Sequence, residues 1–143
     1  MKNLFLAYLV FLFILFSSNA ISQTTFTGDN TGATIDGSVI VESRANSNLT
    51  GTIGTDYVID NVKIDITHTF VSDLEIKLES PDGIVLNLSM TNGDLGEEDY
   101  TNTRFQDGGA DITFASAPFT GTFEPEGGTF ASTFDGEFVS GDW

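Results

Sequence analysis

Between residues 62 and 90 apolar and polar side chains alternate with a period of two, and no other feature limits the fold so strongly. Val62, Ile64 and Ile66 alternate with Lys63, Asp65 and Thr67. Leu74, Ile76 and Leu78 alternate with Glu75, Lys77 and Glu79, and Ile84, Leu86, Leu88 and Met90 with Val85, Asn87 and Ser89. Successive side chains of an extended chain point to opposite faces, so each run has one buried face and one wet face. Ser80-Pro81-Asp82-Gly83 separates the last two runs. Proline sets φ for a turn and glycine admits a positive φ, so residues 74–90 read as a β-hairpin. His68 continues the apolar phase of the first run, followed by Phe70.

The chain has 143 residues, 21 Asp+Glu against 5 Lys+Arg, and no cysteine. A net charge of −16 leaves no basic face with which to neutralise phosphates, which argues against a nucleic-acid partner. Without cysteine there are no disulfides and no thiolate metal sites. Lys2 precedes an apolar run from Leu4 to Phe16, followed by Ser17-Ser18-Asn19-Ala20-Ile21-Ser22. That is the order of a signal peptide, residues 1–22, cleaved after Ala20 or Ser22. The run is shorter than the roughly 20 residues that span a bilayer, so a membrane anchor is the weaker reading. The expectation is a secreted, extracellular protein with no membrane contact after cleavage.

Outside the signal peptide four Lys+Arg face all 21 Asp+Glu, and nine Phe remain, from Phe26 to Phe138. Residues 23–56 are rich in Gly, Asn, Ser and Thr, and read as N-terminal strands and loops of the same domain as residues 57–143. A first strand is expected near Val39-Ile40-Val41, with turn chemistry at Asn46-Ser47-Asn48. Thr91 to Gly109 reads as a loop, Ile112 and Phe114 as a short strand. Phe130, Phe134 and Phe138 recur every four residues, yet the glycines and threonines among them argue for an irregular or strand-like segment rather than a helix. Seven or so short strands predict an all-β fold, an antiparallel jelly-roll β-sandwich.

Catalysis by a nucleophile needs a base beside it. His68 is the one histidine, and it lies within a strand pattern, where a half-buried ring bonded to backbone is the expectation. No Gly-x-Ser-x-Gly elbow appears. Carboxylate pairs at glycosidase spacing arise by chance among so many acids, and no aromatic cleft accompanies them. No constellation of nucleophile, base and orienter marks an enzyme. The acidic loop is different: Asp94, Glu97, Glu98 and Asp99 crowd six residues, with Asp107 expected to approach from the next turn. Dense loop carboxylates repel one another unless neutralised, and Ca²⁺ takes six to eight oxygens, so these five residues are the candidate Ca²⁺ ligands.

The run Val62-x-Ile64-x-Ile66-x-His68-Thr69, then Ser72-Asp73-Leu74-x-Ile76-x-Leu78-x-Ser80-Pro81-Asp82-Gly83, resembles the P domain (P/Homo B domain) of the proprotein convertases, the kexin- and furin-like subtilisins, in its bacterial secreted form. Thr103-Arg104-Phe105-Gln106-Asp107, Pro118-Phe119-Thr120-Gly121-Thr122-Phe123-Glu124-Pro125, Phe134-Asp135-Gly136 and Gly141-Asp142-Trp143 continue the likeness in order. The resemblance covers about residues 57–143. It implies a jelly-roll sandwich that is non-catalytic and accompanies subtilisin-like serine endopeptidases, stabilising them or mediating an interaction, in some cases with bound calcium. His68 and Asp73 then hold sandwich positions. The implied partner is a protease catalytic domain or another domain of a longer parent chain. The family pattern continues past Gly-x-Trp with further strands, so the sequence is expected to be a fragment lacking its last strand or strands. The rival reading is an exported jelly-roll adhesion or carbohydrate-binding module unrelated to proteolysis, which an exposed aromatic strip would mark.

Overall fold

The computed structural model describes residues 22–35, 37, 40–94 and 98–143. Its strands are β1 (Asn46–Ser47), β2 (Val62–Ile66), β3 (Glu75–Glu79), β4 (Val85–Met90), β5 (Tyr100–Asp111), β6 (Phe119–Glu124) and β7 (Gly141–Asp142). One short helix, α1 (Phe130–Phe134), lies between β6 and β7. The strands pair as β1–β7, β2–β5–β6 and β3–β4, so the chain is all-β, with its strands in several sheets. Residues 1–22, read from the sequence as a signal peptide, lie outside the described residues except for Ser22.

The β3–β4 hairpin forms where the alternation places it. Gly83 stands at φ +84 and donates its N–H to the Ser80 carbonyl at 2.9 Å, closing the turn. Buried Ser80 reinforces it: its Oγ accepts the Ile84 N–H and donates to Glu137 Oε2, both at 3.1 Å. The pairing shifts register between Ile76 and Lys77. Such a bulge breaks the alternation, so Leu88 and Ser89 are both buried although adjacent.

Several sequence expectations are corrected. Residues 100–111 are not loop but β5, the central strand of the three-stranded sheet, whose two flanking partners hold extended a run poor in strand-forming residues. Ile112 and Phe114 belong to a 3-10 turn, because Asp111 accepts the Thr113 N–H at 2.9 Å and closes the backbone there. Phe130 to Phe134 is helical, with Phe130 and Phe134 on one buried face. Asn46-Ser47 is a strand rather than a turn, paired with Asp142 and Gly141, whereas Ile40 is 91% exposed outside any strand and Val39 lies outside the described residues. The pairings are antiparallel except β5–β6, which is parallel.

The core is built on rings. Tyr100 and Phe119 lie 4.9 Å apart, Phe119 and Phe123 meet edge-on at 6.1 Å, and Phe134 meets Trp143 edge-on at 5.2 Å. Phe105, Phe119, Phe130 and Phe134 are essentially inaccessible to solvent, and Leu86, Leu88, Val71 and Ile112 fill the space among them. Aromatic pairs in these geometries contribute about 0.5–1.5 kcal/mol beyond the area they bury. Trp143 also donates Nε1–H to the Val139 carbonyl at 3.1 Å, which fixes the end of β7 to the core.

Candidate functional site

The acidic loop joins β4 to β5, and its two stems are fixed to the segment that precedes β3. Thr91 donates its N–H to the Leu74 carbonyl at 2.9 Å, and Asp99 its N–H to the His68 carbonyl at 3.4 Å. The Asp99 carboxylate accepts the His68 N–H at 3.0 Å, and its carbonyl accepts the Phe119 N–H at 3.0 Å. Both stem residues have left-handed backbones, Thr91 at φ 54 and Asp99 at φ 71. Non-glycine residues persist there only where surrounding bonds hold them. Three bonds at Asp99 supply that constraint.

Beside the Thr91 stem runs a polar chain, buried at Ser89, Asn92 and Tyr100. Ser89 Oγ and Tyr100 OH lie 2.8 Å apart, and Asn92 donates Nδ2–H to Ser89 Oγ at 2.8 Å and to Glu126 Oε2 at 2.9 Å. Glu126 also accepts the Met90 N–H. The chain ties β4, β5 and the segment after β6 together. Burial pushes the Tyr100 phenol up, the Ser89 bond opposes this and the Glu126 charge adds to it, so the phenol stays neutral. No motif in the sequence signals this network. Ser89 lies on the wet phase of a regular strand, and only the bulge turns it inward.

The predicted calcium ligands do not all come together. Asp94 and Glu98 are exposed on the loop, Glu97 lies outside the described residues, and Asp99 engages His68. Asp107 stands past the paired run Tyr100 to Phe105, roughly 15 Å of strand. Its carboxylate accepts the first two N–H groups of α1, Phe130 at 2.7 Å and Ala131 at 3.2 Å. The next N–H, of Ser132, goes to Thr129 Oγ1 at 3.0 Å, and that of Thr133 to the Thr129 carbonyl at 3.1 Å. The donors that the start of α1 leaves without a helical partner are therefore satisfied, Phe130 and Ala131 by Asp107, Ser132 by Thr129 Oγ1, and the Thr129 N–H in return by Ser132 Oγ at 3.1 Å. Among the described residues no group of three or more His, Asp or Glu side chains is arranged to hold a metal ion.

His68 is half-buried, with Nδ1 2.8 Å from the Phe70 carbonyl oxygen and 3.2 Å from the Phe70 nitrogen. Local backbone thus holds the ring whichever tautomer it adopts, and no hydroxyl is bonded to it among the described residues. A surface groove of about 380 Å³ is lined by Asp111, Thr113, Glu124, Pro125, Glu126 and Gly128. Two of its carboxylates are already engaged, Asp111 by Thr113 and Glu126 by Met90 and Asn92. Hydrogen bonding to Thr113 holds the exposed Asp111 carboxyl below the usual carboxylate range. What these bonds do is position strands and the stems of a loop.

Neither a curated protein nor a solved structure matches the chain. A family does match, described as the proprotein convertase P-domain, over residues 60–143. That span takes in β2 to β7, including the hairpin with its Ser80 turn, the Asp107-capped helix and Trp143 after β7. The P domain is a β-sandwich and the non-catalytic domain of subtilisin-like proteases, and this chain belongs to the proprotein convertase P-domain family.

Proposed function

We propose that the protein is an exported, non-catalytic P domain that stabilises, or mediates an interaction of, a subtilisin-like serine endopeptidase. The observation that carries this reading is the family match over residues 60–143. The frame around His68 supports it, because the histidine ring and the Asp99 carboxylate that takes the His68 N–H both serve backbone bonds rather than a proton-transfer pair. Export rests on the charge-flanked apolar run before Ser17. The partner is a catalytic domain, on the same parent chain or on a separate one. The adhesion or carbohydrate-binding alternative would need an exposed aromatic strip: Phe26, Tyr57, Phe70, Phe114 and Phe138 are exposed, but the ring contacts among the described residues all involve buried rings or Trp143 and join no two of these five.

The test is the thermal inactivation of a subtilisin-like catalytic domain from the same source, with and without the purified protein. A longer half-life with the protein present is expected, since a ligand bound to the native state slows its loss. An unchanged half-life, together with no complex on size-exclusion chromatography, would remove the companion reading.

A further inference from the structure

The family match begins at residue 60, yet the last stretch of the matched span finds its pairing partner before that point. Residues 45–53 run antiparallel to residues 136–143. Ala45 and Trp143 exchange both backbone bonds, at 2.8 and 3.1 Å. Asn46 and Ser47 stand opposite Asp142 and Gly141, and Thr52 stands opposite Phe138. Val139 donates its N–H to the Gly51 carbonyl at 3.1 Å, Ile53 its N–H to the Glu137 carbonyl at 2.9 Å, and Gly136 its N–H to the Ile53 carbonyl at 2.9 Å. The 45–53 segment is thus a strap over the edge of residues 136–143. It leaves through an exposed turn, where Gly54 stands at φ +81 and the Asp56 and Tyr57 N–H groups share the Thr52 carbonyl, at 3.0 and 3.2 Å.

The strap fits this edge well by its backbone and poorly by its side chains. Asn46, Asn48 and Gly51 are of types depleted in strands. Ile53 is the strap's one residue in the buried apolar core, and Leu49 packs against that core half-buried. At the buried position opposite Gly141 the strap places the hydroxyl of Ser47, which accepts the strap's own Leu49 N–H at 3.3 Å. Opposite Asp142 it places an amide: Asn46 donates Nδ2–H to Asp142 Oδ1 at 2.6 Å, and among the described residues no cation pairs with this carboxylate. We propose that residues 136–143 are a docking edge, and that its occupant is an extended segment of a partner protein that replaces the strap, with Lys or Arg opposite Asp142 and an apolar residue opposite Gly141. In strand addition the main-chain bonds supply affinity and alternate side chains supply specificity. A bare edge pairs with other chains indiscriminately, and the strap keeps this one covered. Because the strap is tethered, it competes at an effective concentration in the millimolar range, so only a better-matched segment displaces it. A basic segment is favoured further by the net charge of −16. The inference rests on the 45–53 pairing and stands whether or not the partner is a protease.

The experiment is fluorescence anisotropy in physiological salt with two labelled peptides. One copies residues 45–53, and the other carries lysine and valine at the positions of Asn46 and Ser47. The proteins are the wild-type chain, D142N and T52C/F138C. The bonds of Ile53 and Val139 flank Thr52 and Phe138, which makes these two a non-hydrogen-bonded pair with Cα atoms about 4.5 Å apart, within reach of a disulfide. Oxidation therefore locks the strap, and dithiothreitol frees it. The lysine–valine peptide is expected to bind the wild-type chain about ten-fold more tightly than the copy, and about three-fold more weakly to D142N. Binding is expected to vanish in oxidised T52C/F138C and return on reduction, with the oxidised form melting above the reduced one. Equal binding of the two peptides, no binding at millimolar protein, unchanged binding to D142N, or binding that survives oxidation would overturn the proposal. So would a lower melting temperature on oxidation, which would unseat the strap. A dimer on size-exclusion chromatography that is present in the reduced variant and absent from the oxidised one would also overturn it, by giving the edge to a second copy of the chain.

Discussion

Asp107 shows how one carboxylate changes role between pattern and structure. By sequence it is the last of a cluster of acids beside a glycine-rich loop. In the fold its two oxygens take the first two N–H donors of α1, a helix whose five residues are too few to be stable alone. Replacing a capping carboxylate costs about 0.5–2 kcal/mol, so Asp107→Ala is expected to lose about 1–2 kcal/mol in urea unfolding, by the same amount in EDTA and in millimolar Ca²⁺. A loss seen only in Ca²⁺ would return Asp107 to the ion. Tyr100 offers a second check at this scale. Its phenol is held neutral by burial, so its folded pKa lies above its unfolded value near 10. The stability it contributes is whole below pH about 10 and is lost as pH rises through the folded pKa, because only the unfolded state ionises readily. Tyr100→Phe should cost about 1 kcal/mol at pH 7 and flatten the alkaline limb of the stability curve measured by denaturant titration.

Elements were legible in the sequence where one rule acted alone. The 62–66 alternation and the Ser80–Gly83 turn need no tertiary help, and both appear as read. The misreadings fall where a distant partner decides. β5 carries Asn102, Gln106 and two glycines, and it is extended because β2 and β6 flank it. α1 has weak helix formers, and it is helical because Asp107 and Thr129 cap it and two rings bury beneath it. Asn46-Ser47 is a strand because β7 arrives from the other end of the chain. Of the candidate site, the stems of the acidic loop are well defined, but the division of labour among its carboxylates is set by backbone donors no pattern reveals. Two glycines test which constraints are local. Gly83 needs only its positive φ, so Gly83→Ala should cost about 1–2 kcal/mol. At Gly109 a Cβ would overlap the Phe123 carbonyl carbon and lie 2.7 Å from the Glu124 nitrogen. Gly109→Ala must therefore push β5 off β6, and a loss of roughly 3 kcal/mol is expected by chemical denaturation.

For the whole molecule the governing quantity is charge. A net −16 on 143 residues, with only three ion pairs among the described residues, makes the compact state work against its own repulsion. Each of those pairs is at the surface, where an ion pair contributes about 0–1 kcal/mol. Raising NaCl from about 10 mM to about 500 mM shortens the Debye length from roughly 30 Å to under 10 Å, so the melting temperature is expected to rise steadily over that range. This screening background is also what a calcium effect must exceed. A cation held by the Asp94–Asp99 loop binds the native state alone and stabilises it by mass action, saturating at its own Kd. Screening has no such saturation and does not distinguish divalent ions. Calorimetry in millimolar CaCl₂ and in MgCl₂, each at constant ionic strength, therefore separates the two. If the loop carboxylates hold calcium, CaCl₂ raises the melting temperature several degrees above MgCl₂, and Glu98→Gln removes the difference while Asp107→Asn keeps it. Equal curves in the two salts would assign the acidic loop to the charge of the surface and leave the domain to its ring-packed core.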